Sequence, residues 1–278
     1  RKIPDEDRAR QVLEHHVETF FYQGNLPQLV EQAQFIPASE RERFPRVCIA
    51  AAWATLASNH FDAVDDWLKA IERHFGLDAE AALTDPALDL SLRVALLEVL
   101  VIRLQLPIYP MTFDRIAIIR EQIDALPPEQ PCLFNVVVNL KPVIVFTQAV
   151  LAEYGGATTL AASTFAETLP LALERDNRYI YHLGRSHLAG VQIALGQLRT
   201  ALKTCEEGLA EDAPLSDSPY LSLLHAQSGI LHYEWNNLPA AREHFEAGLE
   251  LAHLWNVWES RIPLTFGMAR LCMRDGDI

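Results

Sequence analysis

Positive charge is scarce in this 278-residue sequence: 23 Lys and Arg stand against 37 Asp and Glu, a formal charge of −14. Phosphate backbones are held by clustered Lys and Arg, so the balance argues against DNA or RNA as a direct partner and against an anionic membrane surface. No apolar run approaches the ~20 residues of a membrane span, and no signal-peptide pattern opens the chain. Cys48, Cys132, Cys205 and Cys272 lie far apart and form no CxxC pair, which suits small core residues in a reducing cytosol; a cytoplasmic location is expected. Phosphate-loop and nucleophile-elbow motifs (GxxxxGK[ST], GxSxG) are missing. His15-His16, His182 with His187, and His225 with His232 lack the i, i+4 pair flanked by a carboxylate that zinc hydrolases use; they read as surface or packing residues. Asp62, Asp65 and Asp66 stand near a helix start, where acidic groups complement the macrodipole. The expectation is no catalytic residue, no metal and no cofactor.

Long alternating strand patterns are also missing. What is present is a period. Gly156-Ala157-Thr158, Gly196-Gln197-Leu198 and Asn236-Asn237-Leu238 superimpose at a spacing of 40, and Gly276-Asp277-Ile278 falls at the same interval. Five residues after the turn residue stand Ala161, Ala201 and Ala241; nine after it, Phe165, Cys205 and Phe245; seven before it, Ala149, Ala189, Gly229 and Ala269. Antiparallel helices approach within about 8–10 Å only where side chains are small, and the large residue fills the space beside that contact. Gly and Asn tolerate the left-handed conformation that ends a helix, and a short link makes the next helix antiparallel.

This arrangement resembles the tetratricopeptide repeat, whose period is about 34 residues; the longer period implies longer helices. HEAT-type repeats, at about 40–47 residues, are the rival, and the small-residue placement favours the former. Earlier in the chain Gly24-Asn25-Leu26 follows an apolar stretch over 12–22, Asn59-His60-Phe61 follows 50–57, and Leu106-Pro107-Ile108-Tyr109-Pro110 is the best further turn, because two prolines do not share a helix interior. The β-branched run 134–146 reads as helix by its place in the frame, with Pro142 kinking it or delaying its start. The reading is all-α: a right-handed superhelical solenoid of tetratricopeptide-like antiparallel helix pairs, about six pairs and one unpaired helix, so about 13 helices. It forms a single elongated domain over 1–278, with turns near 24, 59, 108, 156, 196, 236 and 276. The start at Arg1 and the stop at a turn suggest a fragment of a longer protein.

From about Asp176 onward the resemblance sharpens. Tyr233-Glu234-Trp235-Asn236-Asn237-Leu238-Pro239-Ala240-Ala241, then 243–252, with Leu183-Gly184-Arg185-Ser186-His187-Leu188-Ala189 and 195–202 before it, resemble the repeat region of MalT-type regulators. These are LuxR-family transcriptional activators with a nucleotide-binding module, a tetratricopeptide-like sensor and a C-terminal helix-turn-helix. Neither the phosphate loop nor a basic helix-turn-helix is in this sequence. The resemblance therefore implies the sensor portion alone, receiving a small-molecule inducer or a regulatory protein and passing the signal to neighbouring modules. An adaptor that binds a peptide or protein without sensing is the alternative reading, and an enzyme accessory region a third.

In such arrays helix A of each pair lines the concave face. Here that gives Val143, Phe146, Val150 and Glu153; Leu183, Ser186, Gly190 and Ile193; Leu223, Ala226, Ile230 and Tyr233; and Phe266, Arg270 and Met273. Apolar stripes at helical spacing are most often core, so packing is one outcome. A groove for an apolar or aromatic ligand is the other, with Phe146, Glu153, Tyr154, Tyr233, Glu234, Arg270 and Arg274 as the binding candidates and Trp53, Phe146 and Tyr233 as aromatic faces for a sugar.

Overall fold

The computed structural model describes residues 4–22, 26–58, 60–106, 109, 112–134, 137–175, 177–211, 221–254 and 258–276. Among them the chain is helical throughout, with fourteen α-helices and no strand. They fall in two compact units, Arg1–Ile144 and Val145–Ile278.

The first unit holds α1 (Pro4–Tyr22), α2 (Leu26–Gln34), α3 (Pro45–Ala57), α4 (Phe61–Phe75), the four-residue α5 (Ala81–Thr84), α6 (Leu90–Arg103), α7 (Phe113–Asp124) and the start of α8 (Val137–Tyr154). Its centre is α3, whose Val47 to Leu56 are all buried; a helix apolar all round belongs inside a core. Beside it α4 turns Val64, Trp67, Leu68 and Ile71 inward, and α6 is buried from Val94 to Arg103. Side chains fix several ends. Asp89 accepts from the Ser91 and Leu92 amides at the start of α6, and Thr112 from the Arg115 amide at the start of α7. Such caps satisfy donors that have no partner inside the helix. Glu14 of α1 reaches the Arg46 and Val47 amides at 3.0 and 2.9 Å, capping α3 from another helix.

Two buried polar ties complete this unit. Glu98 is fully buried; it accepts from the Trp53 indole N–H at 3.4 Å and the Phe134 amide at 3.2 Å. Arg103, also buried, grips Glu72 with two bonds of 2.8 and 3.0 Å and Asp65 at 3.2 Å. Burial works to raise the Asp65 carboxyl, but Lys69 and Arg103 outweigh it and hold Asp65 below the usual range. Paired in this way, the charges meet the desolvation that burial imposes.

The second unit holds the rest of α8, then α9 (Thr158–Glu174), α10 (Arg178–Ala194), α11 (Leu198–Glu211), α12 (Leu221–Glu234), α13 (Leu238–Leu254) and α14 (Trp258–Asp275). The period seen in the sequence is here a repeated geometry. Gly156, Gly196 and Asn236 have φ of 75°, 74° and 61°. At each turn the following residue donates five back, Ala157 to Ala152, Gln197 to Gln192 and Asn237 to His232, at 2.8 Å in all three. These bonds satisfy carbonyls that a helix end would leave open. Gly276 repeats the φ at 79°. The turns expected at Gly24, Asn59 and Ile108 lie outside the described residues.

The small and large positions pack as their spacing requires. Ala161, Ala201, Ala241, Phe165, Cys205 and Phe245 are all buried. The Phe245 ring lies so close to Gly229 of α12 and Gly267 of α14 that a Cβ on either would collide with it. A Cβ on Gly248 would come within 2.6 Å of Leu264. Pro142, Pro170 and Pro263 sit inside α8, α9 and α14. The β-branched run is helical from Val137, and Pro142 does not delay its start; Phe134 stands outside the helix, where its amide meets Glu98.

Candidate functional site

The A helices of the second unit (the latter part of α8, then α10, α12 and α14) carry all seven binding candidates. Five of them fall in two clusters. In the first, Phe146 is buried against Phe165 (ring centroids 5.7 Å apart) and meets His187 edge-on at 5.5 Å. His187 stacks on Phe165 at 5.3 Å, and its Nδ1 lies 2.8 Å from Glu153 Oε2. Glu153 is thus engaged by a histidine rather than standing free. In the second cluster the Arg270 guanidinium lies 4.0 Å from the centre of the Tyr233 ring, while its Nη2 donates to Glu234 Oε1 at 3.2 Å. The ring's negative face and the carboxylate hold the same cation from two sides. Tyr154 is 76% exposed, and Arg274 is exposed in the last turn of α14.

Along the A helices exposure changes from one repeat to the next. Phe146, Ser186 and Ala226 are buried, and Gly190 faces the Gln227 amide. Forty residues after Ala226, Phe266 of α14 is 65% exposed, and Met273, forty after Tyr233, is 69% exposed, with Ile262 also exposed. Phe146, Ser186 and Ala226 thus pack, Glu153, Ile230 and Tyr233 are half-buried, and an apolar stripe stands exposed on α14. Trp53 belongs to the core of the first unit with its N–H on Glu98, so it offers no face to a sugar.

Sequence reasoning set His187 aside, although it sits beside Phe146 and Glu153. It also paired His225 with His232 and missed His244. The three meet between α12 and α13: His225 Nδ1 lies 3.1 Å from His244 Nδ1, and the His232 ring stacks on His244 at 5.4 Å. An available signal was the antiparallel pairing about Asn236, which sets residues soon after the turn against those before it. Burial pushes His225 down to about 4, helped by the neighbouring His244. Burial likewise lowers His244, with His232 adding to it. The cysteine thiols run the other way: burial raises Cys48 to about 12 and Cys205 to about 11, which makes them inert.

Among the described residues no group of three or more His, Cys, Asp or Glu is placed to hold a metal ion. No described helix is long and apolar enough to cross a membrane. A shallow hollow at the start of α4, lined by His60, Phe61, Asp62 and Ala63, shares no residue with either cluster.

Among curated proteins no relative matches this chain. The MalT-like TPR region, as a family, matches residues 133–278. That span takes in the whole second unit and just over half of the 278 residues. With its helix pairs, its left-handed turns 40 residues apart and its small-against-large contacts, the chain belongs to the MalT-like TPR family.

Proposed function

We propose that this chain is the signal-receiving, protein-interaction region of a MalT-type bacterial transcription regulator of the LuxR family, working in the cytoplasm. It binds an inducer or a regulatory protein and leaves DNA contact and nucleotide hydrolysis to other modules. In this reading it needs no cofactor of its own and catalyses nothing. The observation that carries the reading is the family match over the second unit together with the half-exposed Tyr233–Arg270–Glu234 cluster within it. An aromatic face, a cation and a carboxylate within one small patch are what a polar ligand with an apolar side requires.

The mechanism is a population shift. A ligand that binds one arrangement of stacked helices better than another moves the equilibrium by its difference in affinity and by no more. Arg270 of α14 is held by Tyr233 and Glu234 of α12, so a ligand competing for any of the three changes how those helices are tied. Candidate inducers and regulatory proteins are titrated while the melting temperature is followed, with Tyr233→Ala and Arg270→Ala as controls. A stabilising shift lost in both variants supports the reading. A shift unchanged in both removes these residues from the site, and no shift with any inducer or partner removes the sensing role.

The adaptor reading has one observation in its favour. Ile262, Phe266 and Met273 form an exposed apolar stripe on α14, a face that an apolar protein surface would cover. Capture of a protein partner that Phe266→Glu abolishes, with no response to small molecules, favours it.

A further inference from the structure

We propose that the His225–His244–His232 cluster is a proton-sensitive latch that holds α12 against α13 at neutral pH and loosens that hairpin on acidification. This concerns the helix carrying Tyr233, but it stands independently of any ligand at that residue.

The geometry requires at least one of the two rings to be neutral. With the two Nδ1 atoms 3.1 Å apart, one imidazole donates and the other accepts; when both are protonated, two N–H groups face each other. His232 also stacks on His244, with the rings 8° from parallel. Its Nδ1 lies 3.4 Å from Asn237 Nδ2, just past the turn. Protons entering the cluster therefore meet one another at close range, along the line where the two helices join.

Other groups around the cluster do not cancel this. Glu243 of α13 and Glu206 of α11 favour the charged form of His244, but burial and His232 outweigh them. From α14, the apolar Leu264 packs near the His225 Cβ beside Gly248. From α10, Arg185 lies beside Gly208 of α11, and its charge is paired with Glu207.

The preceding hairpin provides the contrast. Forty residues before His232 and His244 stand Gln192 and Thr204. There the Thr204 hydroxyl donates to Gln192 Oε1 at 2.9 Å, across the same point of the α10–α11 contact. Where one hairpin carries a neutral hydrogen bond, the next carries titratable rings. Acid sensitivity is thus local to α12–α13 and is not a property of the repeat.

The sign follows from linkage. An unfolded histidine takes its proton near pH 6.5, whereas His225 in the fold holds out to about 4. The unfolded chain binds more protons in that window, so the contribution is complete above about 6.5, declines as pH falls, and is gone near 4. The test compares the 278-residue chain with the triple variant His225→Gln/His232→Gln/His244→Thr, which removes all three rings and installs at 232 and 244 the pair already packed in the neighbouring hairpin. Urea unfolding is followed at pH 7 and pH 4.5. Because carboxylates titrate in both proteins, the difference isolates the histidines. The wild type is expected to lose at least tenfold more of its folding equilibrium constant than the variant; losses equal within twofold overturn the proposal. Independently of the variant's stability, the ring-proton NMR signals of His225 and His244 in the wild type are followed against pH. Midpoints well below 6.5 support the latch, and midpoints at 6.5 overturn it.

Discussion

Glu98 and Phe245 solve the same problem in different ways. Each is buried, and each touches two other segments of the chain. Glu98 does it by accepting two N–H groups, from Trp53 and Phe134. Phe245 does it by laying one ring against Gly229 and Gly267. The difference runs through both units. Residues 1–144 are tied by polar groups that occur once: Glu14 on α3, Glu98 on the indole, and Arg103 between Glu72 and Asp65. Residues 145–278 are tied by apolar contacts that return every 40 residues. Unique polar ties specify one arrangement and are costly to break. Recurrent apolar contacts tolerate variation at any one step, provided volumes match.

The sharpest way to break the comparison is Phe245→Ala. It empties a space bordered by two glycines and should cost about 3–5 kcal/mol, read from urea unfolding. A loss under about 1 kcal/mol means the ring is not the tie. Next is Glu98→Leu, which leaves two buried N–H groups without an acceptor and should cost about 2–4 kcal/mol. If Glu98→Gln, which retains one acceptor oxygen, is as harmful as Leu, hydrogen bonding is not the reason. Ala201→Leu follows. Ala201 is fully buried where α11 approaches its neighbour, so overpacking should cost on the order of 1–3 kcal/mol; an unchanged melting curve would show that the frame is misplaced. The smallest effects belong to the turns. At Gly196 a Cβ meets no atom within 4 Å, so Gly196→Ala reports the left-handed backbone alone, at about 1 kcal/mol. Asn236→Gly at φ 61° should be neutral or stabilising by under ~1 kcal/mol. Opposite signs for that pair, measured by thermal melting, sharpen the claim that φ sets the turn residue.

How far each unit was legible follows from the same contrast. A period is visible only where contacts recur, so Gly156, Gly196 and Asn236 announced their turns, and Ala201, Phe245 and Gly229 their packing. Glu98 and Arg103 gave no such notice: a lone acid or arginine looks alike on a surface and in a core until its partners are known. The binding candidates were legible in part. Tyr233, Glu234 and Arg270 meet because the frame brings α12 and α14 into register. Phe146 and Glu153 have His187 between them, which single-helix spacing did not reveal because it lies on the next A helix. His244 escaped for a related reason, since histidines were compared along α12 and not across the turn to α13. The division at 144/145 has no counterpart in composition, because it falls within α8 itself.

The pairing of Gly229 with the Phe245 ring means that hairpins with superimposable turns are nevertheless keyed. The preceding pair sets Ala189 with the smaller Cys205 in one buried cluster. Splicing α10 onto α13 would keep every backbone bond of the turn while driving the Ala189 methyl into the Phe245 ring, because Gly229 already has no room for a methyl there. Moving α13 to a new partner helix must therefore carry a glycine opposite the Phe245 ring along with it.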